Sequence, residues 1–330
     1  MPTSNRIKDR GAIGIVVIGR NESARLSECL DSLSGYRDRI VYSDSASTDG
    51  SPDIARQYGA LVVELDDSTQ LTPARGRNEG LAAMLKRHPE CTFVQFVDGD
   101  SLIEPGWIER GVEFLTTNER IGAVCGHVAE AQPERSIYNW LCSEEWKGPI
   151  GLVDSCGGNA MFRIASFLEA GGFRNDLVAG EEAELLARMR ACGSAIWRLD
   201  APMVIHDADI HRFADWWKRA QRGGHSYAHV WMLTKAGPEP LYAAQLQSSL
   251  FWVVLLPLAV ILASVGSQAP ALLLLLPAAW LVQIIRIAAR RTLSSPKSWR
   301  YAGLIMLAKI AEAIGIMRYF AKKLSGRPVA

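Results

Sequence analysis

The 330-residue chain has no Asp, Glu, Lys or Arg from Pro240 to Ile285, although charged types make up 22% of the whole. A soluble domain does not leave 46 consecutive residues uncharged, so the formal net charge of +1 conceals two environments. Residues 248 to 330 carry ten basic residues and one acidic residue, Glu312, a balance of +9. The first 247 carry 26 basic and 34 acidic residues, a balance of −8. The basic excess therefore lies beside an apolar stretch and not on the folded part, which excludes nucleic acid as a partner. Also missing is any CxxC pair. The six cysteines, Cys29, Cys91, Cys125, Cys142, Cys156 and Cys192, are scattered, which argues against a zinc site or a disulfide framework and for small buried hydrophobes in a reducing compartment. Low-complexity tracts are absent from the first 247 residues, which excludes disorder. Met1 to Arg10 lacks the apolar core of a secretory signal, so the first domain is expected to stay in the cytoplasm.

What is present from residue 12 to about 100 is an alternation of apolar runs and helical stretches. The runs Ile13 to Ile18, Arg39 to Tyr42, Leu61 to Leu65 and Phe93 to Val97 are separated by the helical patterns Glu22 to Leu33, Pro52 to Tyr58, Pro73 to Arg87 and Pro105 to Leu115. Runs apolar on both faces, with helices between them, predict a mostly parallel sheet covered on each side. Thr72 before Pro73, and Ser51 with Pro52, are helix-start signals. In an open sheet of this kind ligands bind beyond the carboxyl ends of the strands. Those ends are Gly19 to Glu22, Asp44 to Ser51, Asp66 to Asp67 and Asp98 to Asp100. Further on, strands are expected at Ile121 to Val128, Val153 to Phe162 and Ala195 to Leu199, with a helix from Glu181 to Ala191.

The uncharged stretch divides into Ser248 to Gly266 and Ala269 to Ile285, the latter extending to Ala289 if Arg286 snorkels. Each approaches the ~20 residues needed to cross ~30 Å of hydrocarbon, and Leu272 to Leu276 offers no polar face, so a transmembrane hairpin is expected. The link Ser267-Gln268 has no cation, whereas Arg286, Arg290, Arg291, Lys297 and Arg300 follow the hairpin. Both flanks should then face the cytoplasm. Tyr301 to Ile316 contains Lys309 and Glu312 and precedes Arg318, Lys322 and Lys323, which predicts an amphipathic helix in the cytoplasmic interface.

Asp98-Gly99-Asp100 follows the fourth apolar run directly. Two carboxylates one residue apart at a strand end, with glycine permitting close backbone approach, suit a hard divalent cation carrying a diphosphate. Together with Val17 to Glu22 and Asp44 to Ser51, this segment resembles the nucleotide-sugar-binding half of inverting GT-A glycosyltransferases of family 2. Later motifs keep that family's order. Ala74 to Gly80 resembles its Arg-Asn-x-Gly helix start, with Arg77 at the arginine position. Cys156 to Arg163 resembles the Gly-Gly-x segment that lines the donor sugar. Gly171-Gly172-Phe173 followed by Gly180-Glu181-Glu182 resembles the Gly-Gly-Phe…Gly-Glu-Asp block. The resemblance covers about 12 to 230 and implies a domain at 12–235, with a nucleotide-binding half at 12–120 and an acceptor and catalytic half at 121–235. A tail at 1–11 and a membrane region at 236–330 flank it.

The resemblance also implies roles. Glu22 lies near the nucleoside and Asp44 near the base. Gly19, Arg20, Arg77, Asp98, Gly99, Gly157, Gly158 and Asn159 belong to the donor site. Asp100 and His206 are ligands for Mn²⁺ or Mg²⁺. Glu182 occupies the position of the family's catalytic aspartate, with one methylene more, and Glu181 precedes it near the acceptor or diphosphate. The acidic first turn of a helix accounts for Glu181 and Glu184 by itself, whereas Glu182 is expected to be the base. Trp216, Trp217, Arg219 and Arg222 are candidates for the acceptor or diphosphate site. Their segment departs from the Gln-x-x-Arg-Trp helix of related synthases, so processive synthesis is not expected, and resting on lipid headgroups accounts equally for these residue types. The expected activity is transfer of one sugar from a UDP- or GDP-sugar to a lipid-linked or saccharide acceptor at the cytoplasmic leaflet, within cell-envelope glycan synthesis. Two alternatives stay open: a polyprenyl-phosphate sugar synthase, and a silent scaffold that binds nucleotide sugars.

Overall fold

The computed structural model describes residues 12–326, so the 1–11 tail and Arg327 lie outside the described residues. By its contacts the chain forms two compact units that divide between His211 and Arg212.

The first unit is built on one nine-stranded sheet. Strands β1 (Ile13–Gly19), β2 (Ile40–Asp44), β3 (Leu61–Glu64) and β4 (Phe93–Asp98) lie in the order β3-β2-β1-β4 and are all parallel. Their side chains are buried on both faces in β1, β2 and most of β4, as expected of runs with no polar alternation. Helices α1 (Ser23–Ser32), α2 (Ser51–Gln57) and α3 (Pro73–Arg87) connect them. Thr72 caps α3, its hydroxyl accepting from the Arg75 N–H at 3.1 Å, with Pro73 supplying the preset first helical φ.

Beyond β4 the sheet becomes mixed. It continues through β8 (Met161–Arg163), β6 (Ile121–Glu130), β9 (Ala195–His206) and β5 (Ser101–Ile103), while β7 (Gly151–Leu152) pairs with β9 outside that order. Strand β8 runs antiparallel to β4 and β6, and β6 runs parallel to β9. The connecting helices are α4 (Trp107–Thr117), α5 (Ile137–Glu145), α6 (Ile164–Glu169) and α7 (Glu181–Ala191). The sheet is therefore mixed and mostly parallel, as the sequence predicts. Four phenylalanines, Phe96, Phe162, Phe167 and Phe173, pack with ring centroids 5.2 to 6.1 Å apart, largely edge to face, in the core behind β4. All six cysteines are free thiols; five are buried and Cys192 is exposed.

Two expectations are corrected. The run Val153 to Phe162 is not one strand: β7 ends at Leu152, and β8 starts only at Met161. Between them Cys156, Gly157, Gly158 and Asn159 form a loop that carries side chains to the end of β4, which a continuous strand could not do. The expected strand Ala195 to Leu199 runs on to His206, because β9 is held on one side by β6 and on the other by β5.

The second unit is helical: α8 (Phe213–Thr234), α9 (Ala243–Gly266), α10 (Pro270–Ala289) and α11 (Pro296–Leu324). Helix α9 starts five residues before Ser248 because Ala243 to Gln247, uncharged and helix-compatible, continue the same helix. It includes a π-helical turn at Phe251–Leu255. Helices α8 and α11 pack closely. A Cβ on Gly224 would collide with the Glu312 backbone, and one on Gly315 would collide with the Gln221 carbonyl, so hydrogen at these positions sets the approach. The apolar face of α11, including Ala302, Met306, Ala313, Ile316 and Tyr319, is buried within this unit. Glu312 is satisfied there by Lys309 at 2.9 Å and the Ser249 hydroxyl at 2.5 Å. Helices α9 and α10 are long and apolar enough to cross a membrane, and only 17% and 6% of their most apolar windows are buried within the protein. They do not have the covered surface of core helices.

Candidate active site

The parallel register aligns the strand ends that matter. Gly19 lies opposite Asp44, and Ile18 lies opposite Asp98, so the ends of β1, β2 and β4 form one edge at the point where chain order reverses around β1. Asp98, at the end of β4, is held from three directions. The Arg77 guanidinium donates to Oδ1 at 2.9 Å, the Asn159 amide donates to Oδ2 at 3.2 Å, and the Asp98 N–H donates to Asn159 Oδ1 at 2.8 Å.

His206 meets Asp100 because of strand pairing. Strand β5 starts one residue after Asp100 and pairs antiparallel with β9, placing Ser101 opposite His206. The imidazole Nε2 then lies 3.1 Å from Asp100 Oδ1. Potential ligand atoms of Asp98, Asp100 and His206 all fall within 4.8 Å of one another. Burial opposes charge on both Asp100 and His206, but their mutual hydrogen bond and attraction hold the Asp100 carboxyl below its ordinary range and the imidazole above its own. The residue between the carboxylates is closely packed: a Cβ on Gly99 would stand 3.2 Å from both Glu22 Cγ and the Ile18 carbonyl. Two carboxylates and one imidazole form an oxygen-and-nitrogen donor set that can hold Mn²⁺ or Mg²⁺.

Arg77, from α3, is only 2% exposed and links this cluster to α7. Its Nη1 donates to Glu181 Oε1 at 2.9 Å and lies 3.6 Å from Glu182 Oε1, while Nη2 binds Asp98. Burial works against its charge, yet Asp98, Glu182 and Glu181 together keep the guanidinium more basic than usual. Glu181 is buried, whereas the Glu182 side chain retains 21% exposure. Burial first, then the neighbouring Glu181 carboxylate, push the Glu182 carboxyl up to about 8, against the lowering influence of Arg77. Gly158 passes directly over this group; a Cβ there would overlap the Arg77 guanidinium and lie 3.1 Å from Glu182 Oε1. Gly157 is exposed on the same loop. Helices α3 and α7 are tied to the Gly171-Gly172-Phe173 turn by Asn78, which donates to the Phe173 carbonyl at 2.8 Å, and by Arg188, which donates to the Gly172 carbonyl at 2.7 Å.

At the other end of the edge, Asp44 is 1% exposed, accepting from the Tyr42 hydroxyl at 3.1 Å and the Ser47 N–H at 2.7 Å. Glu22 is partly buried, bonded to Arg25 at 2.6 Å and raised in pKa, by burial above all. Arg20 is exposed at the strand end. Two residues outside the sequence-based selection organise this rim. Asn21, in the left-handed region at φ 60°, accepts from the Thr48 N–H at 2.8 Å. Asp49 accepts from the Ser23 N–H at 2.9 Å and holds Ser51, contacts that lower its pKa despite the cost of desolvation. Their signal was the Asp/Ser-rich turn chemistry of 44–51 and the Asn that follows Arg20 at the end of β1. Trp216, Trp217, Arg219 and Arg222 lie on α8 in the second unit, where Trp216 is buried and stacks with Phe213 and Trp217 at 5.5 and 6.4 Å.

Residues 14–168 match the family described as Glycosyl transferase family 2. Among characterised proteins the chain is similar to Glycosyltransferase AglE of Haloferax volcanii, 23% identical over 248 residues, covering 71% of this chain and 79% of the relative. It is also similar to Succinoglycan biosynthesis protein ExoA of Rhizobium meliloti, 24% identical over 208 residues, 58% of this chain and 62% of the relative. Among solved structures, the mannosyltransferase PcManGT from Pyrobaculum calidifontis, in complex with GDP-Man and Mn²⁺, aligns with a TM-score of 0.61 over 93% of this chain and 87% of that one, at 22% identity. At that identity the likeness establishes a shared fold.

Proposed function

Because the chain is a glycosyltransferase with a family 2 domain on a GT-A fold, we propose that it transfers a sugar, with inversion, from a nucleoside diphosphate sugar to a lipid-linked acceptor at the cytoplasmic face of a membrane. The observation that carries this reading is the single buried guanidinium of Arg77, which joins Asp98 of the metal-binding cluster to the Glu181–Glu182 pair. It sets a group that can accept a proton beside a group that can hold a diphosphate.

In this reading Asp100 and His206, with Asp98, would hold Mn²⁺ or Mg²⁺, whose chemistry when bound is to neutralise charge on the leaving diphosphate. Asn159 and Arg77 fix the Asp98 carboxylate, and Gly157 and Gly158 leave room for the sugar. The Glu182 carboxylate takes the proton of the acceptor hydroxyl as its oxygen bonds to the anomeric carbon. The bond from that carbon to the diphosphate oxygen breaks, and the nucleoside diphosphate leaves with the electron pair. A carboxyl whose pKa lies near the working pH is suited to this exchange. The exposed apolar surface of α9 and α10 supports a membrane anchor. The cations from Arg286 to Arg300 favour a cytoplasmic flank, which would put the acceptor within reach of the bilayer.

The test is nucleotide release by the full-length protein in detergent with lipid extract, across a panel of UDP- and GDP-sugars. Release is expected with one donor in the presence of Mn²⁺ or Mg²⁺. Turnover that persists undiminished in excess chelator would contradict the metal role, and tight donor binding without turnover on any extract would favour a scaffold.

A further inference from the structure

We propose that the segment from Glu130 to Trp146 is a brace that positions His206 as a metal ligand, with Glu130, Asn139 and Trp146 as its positioning residues. The proposal rests on the reading of Asp98, Asp100 and His206 as a cation site. Glu130 ends β6 directly opposite His206 in the parallel register, and the His206 carbonyl accepts from the Ala131 N–H at 2.9 Å. The Glu130 carboxylate is 7% exposed and faces three donors: Asn139 Nδ2 at 2.9 Å, the Gln132 N–H at 3.1 Å and the Ala208 N–H at 3.0 Å. Asn139 is fully buried, and its Oδ1 accepts from the Ile210 N–H at 3.0 Å. The Ser136 hydroxyl caps α5, accepting from the Asn139 N–H at 2.9 Å, and donates to the Ile210 carbonyl at 2.5 Å.

Three of these bonds, to the Ala208 N–H, the Ile210 N–H and the Ile210 carbonyl, end on the chain just after His206. Residues 207 to 210 have left the sheet, and these bonds hold them beside the ion pair of Asp207 with Arg25 at 3.8 Å. Helix α5 then closes on the histidine itself, since Trp146, at its C-terminal end, meets the His206 ring edge-on with centroids 4.9 Å apart. The ring is therefore fixed from behind through its backbone and from the side through Trp146, while Nε2 points to Asp100. Groups that orient a metal ligand without touching the metal change affinity by about 10–100-fold when removed.

The experiment measures Mn²⁺ binding to the full-length protein by the loss of the free-ion electron paramagnetic resonance signal, with melting in chelator as the control for folding. Glu130→Gln keeps the shape but replaces one of two accepting oxygens by an amide NH₂, so either the Ala208 N–H or the pair of donors from Asn139 and Gln132 loses its acceptor. We expect Mn²⁺ to bind about 10–100-fold more weakly to Glu130→Gln. Nucleotide release should recover at saturating Mn²⁺ in this variant and not in Asp100→Ala. Trp146→Leu, which removes only the ring contact at a partly exposed position, is expected to weaken binding in the same direction and serves if Glu130→Gln does not fold. A folded variant that binds Mn²⁺ as the parent does would overturn the brace. A parent that fails to bind Mn²⁺ would instead overturn the cation site.

Discussion

Replacing Glu182 by Gln separates the cost of the proposed base from its use. In the folded protein the carboxyl is raised from 4.5 to about 8, by burial and by Glu181. A tenfold change in proton affinity corresponds to about 1.4 kcal/mol, so ionising Glu182 in the folded state costs at most about 5 kcal/mol. With 21% of the side chain exposed, solvent screens part of this, and about 2 to 4 kcal/mol is expected. A folded pKa above the unfolded one means that stability is fully present below pH 4.5 and is lost as pH rises toward about 8. The neutral amide escapes that loss. Glu182→Gln should therefore melt about 5–10 °C above the parent near pH 9 and close to it near pH 5, measured in detergent by differential scanning fluorimetry. Its transfer rate should fall by about 10²–10⁴-fold, and kcat/KM of the parent should rise with pH to a plateau above about 8. Parallel melting of parent and variant across the range would refute the buried, strained carboxylate. Normal stability signatures with most activity retained would point to a lipid phosphate as acceptor, whose oxygen needs no base.

Other perturbations read other parts of the site. Arg77→Lys removes the fork that serves Asp98 and Glu181, each at 2.9 Å, and should cost about 3–5 kcal/mol because a buried charge is left unpaired; thermal melting checks it. Gly158→Ala inserts a methyl into the Arg77 guanidinium and should lower kcat/KM about 100-fold through misplacement. In the second unit, Gly224→Leu should destabilise by about 1–3 kcal/mol by forcing α8 from α11, seen as faster proteolysis between them.

Most of the first unit was legible in the sequence because both faces of β1, β2 and β4 are buried, which leaves continuous apolar runs with carboxylates at their ends. Asp98 and Asp100 could be placed from that pattern alone. His206 could not, since its proximity depends on β5, three residues long and too short for any periodicity. The segment 153–162 read as a strand from its apolar ends, Val153 and Phe162, although Gly157 and Gly158 mark the loop that covers Arg77. Residues 129 to 152 carry no motif, and Glu130 lies two residues beyond the strand expected at Ile121 to Val128. Its function lies in three hydrogen bonds with partners from 2 to 78 positions away. The apolar face of α11 was visible as periodicity, but its partner was not: that face is buried within the helical unit.

The most direct test is the effect of Mn²⁺ on the ³¹P relaxation of nucleoside diphosphate bound to the full-length protein. If Asp98, Asp100 and His206 hold the cation against the diphosphate, relaxation of the β-phosphorus should be strongly enhanced in the parent and unaffected in Asp100→Ala. Nucleotide that binds the parent with no enhancement by Mn²⁺ would contradict the account.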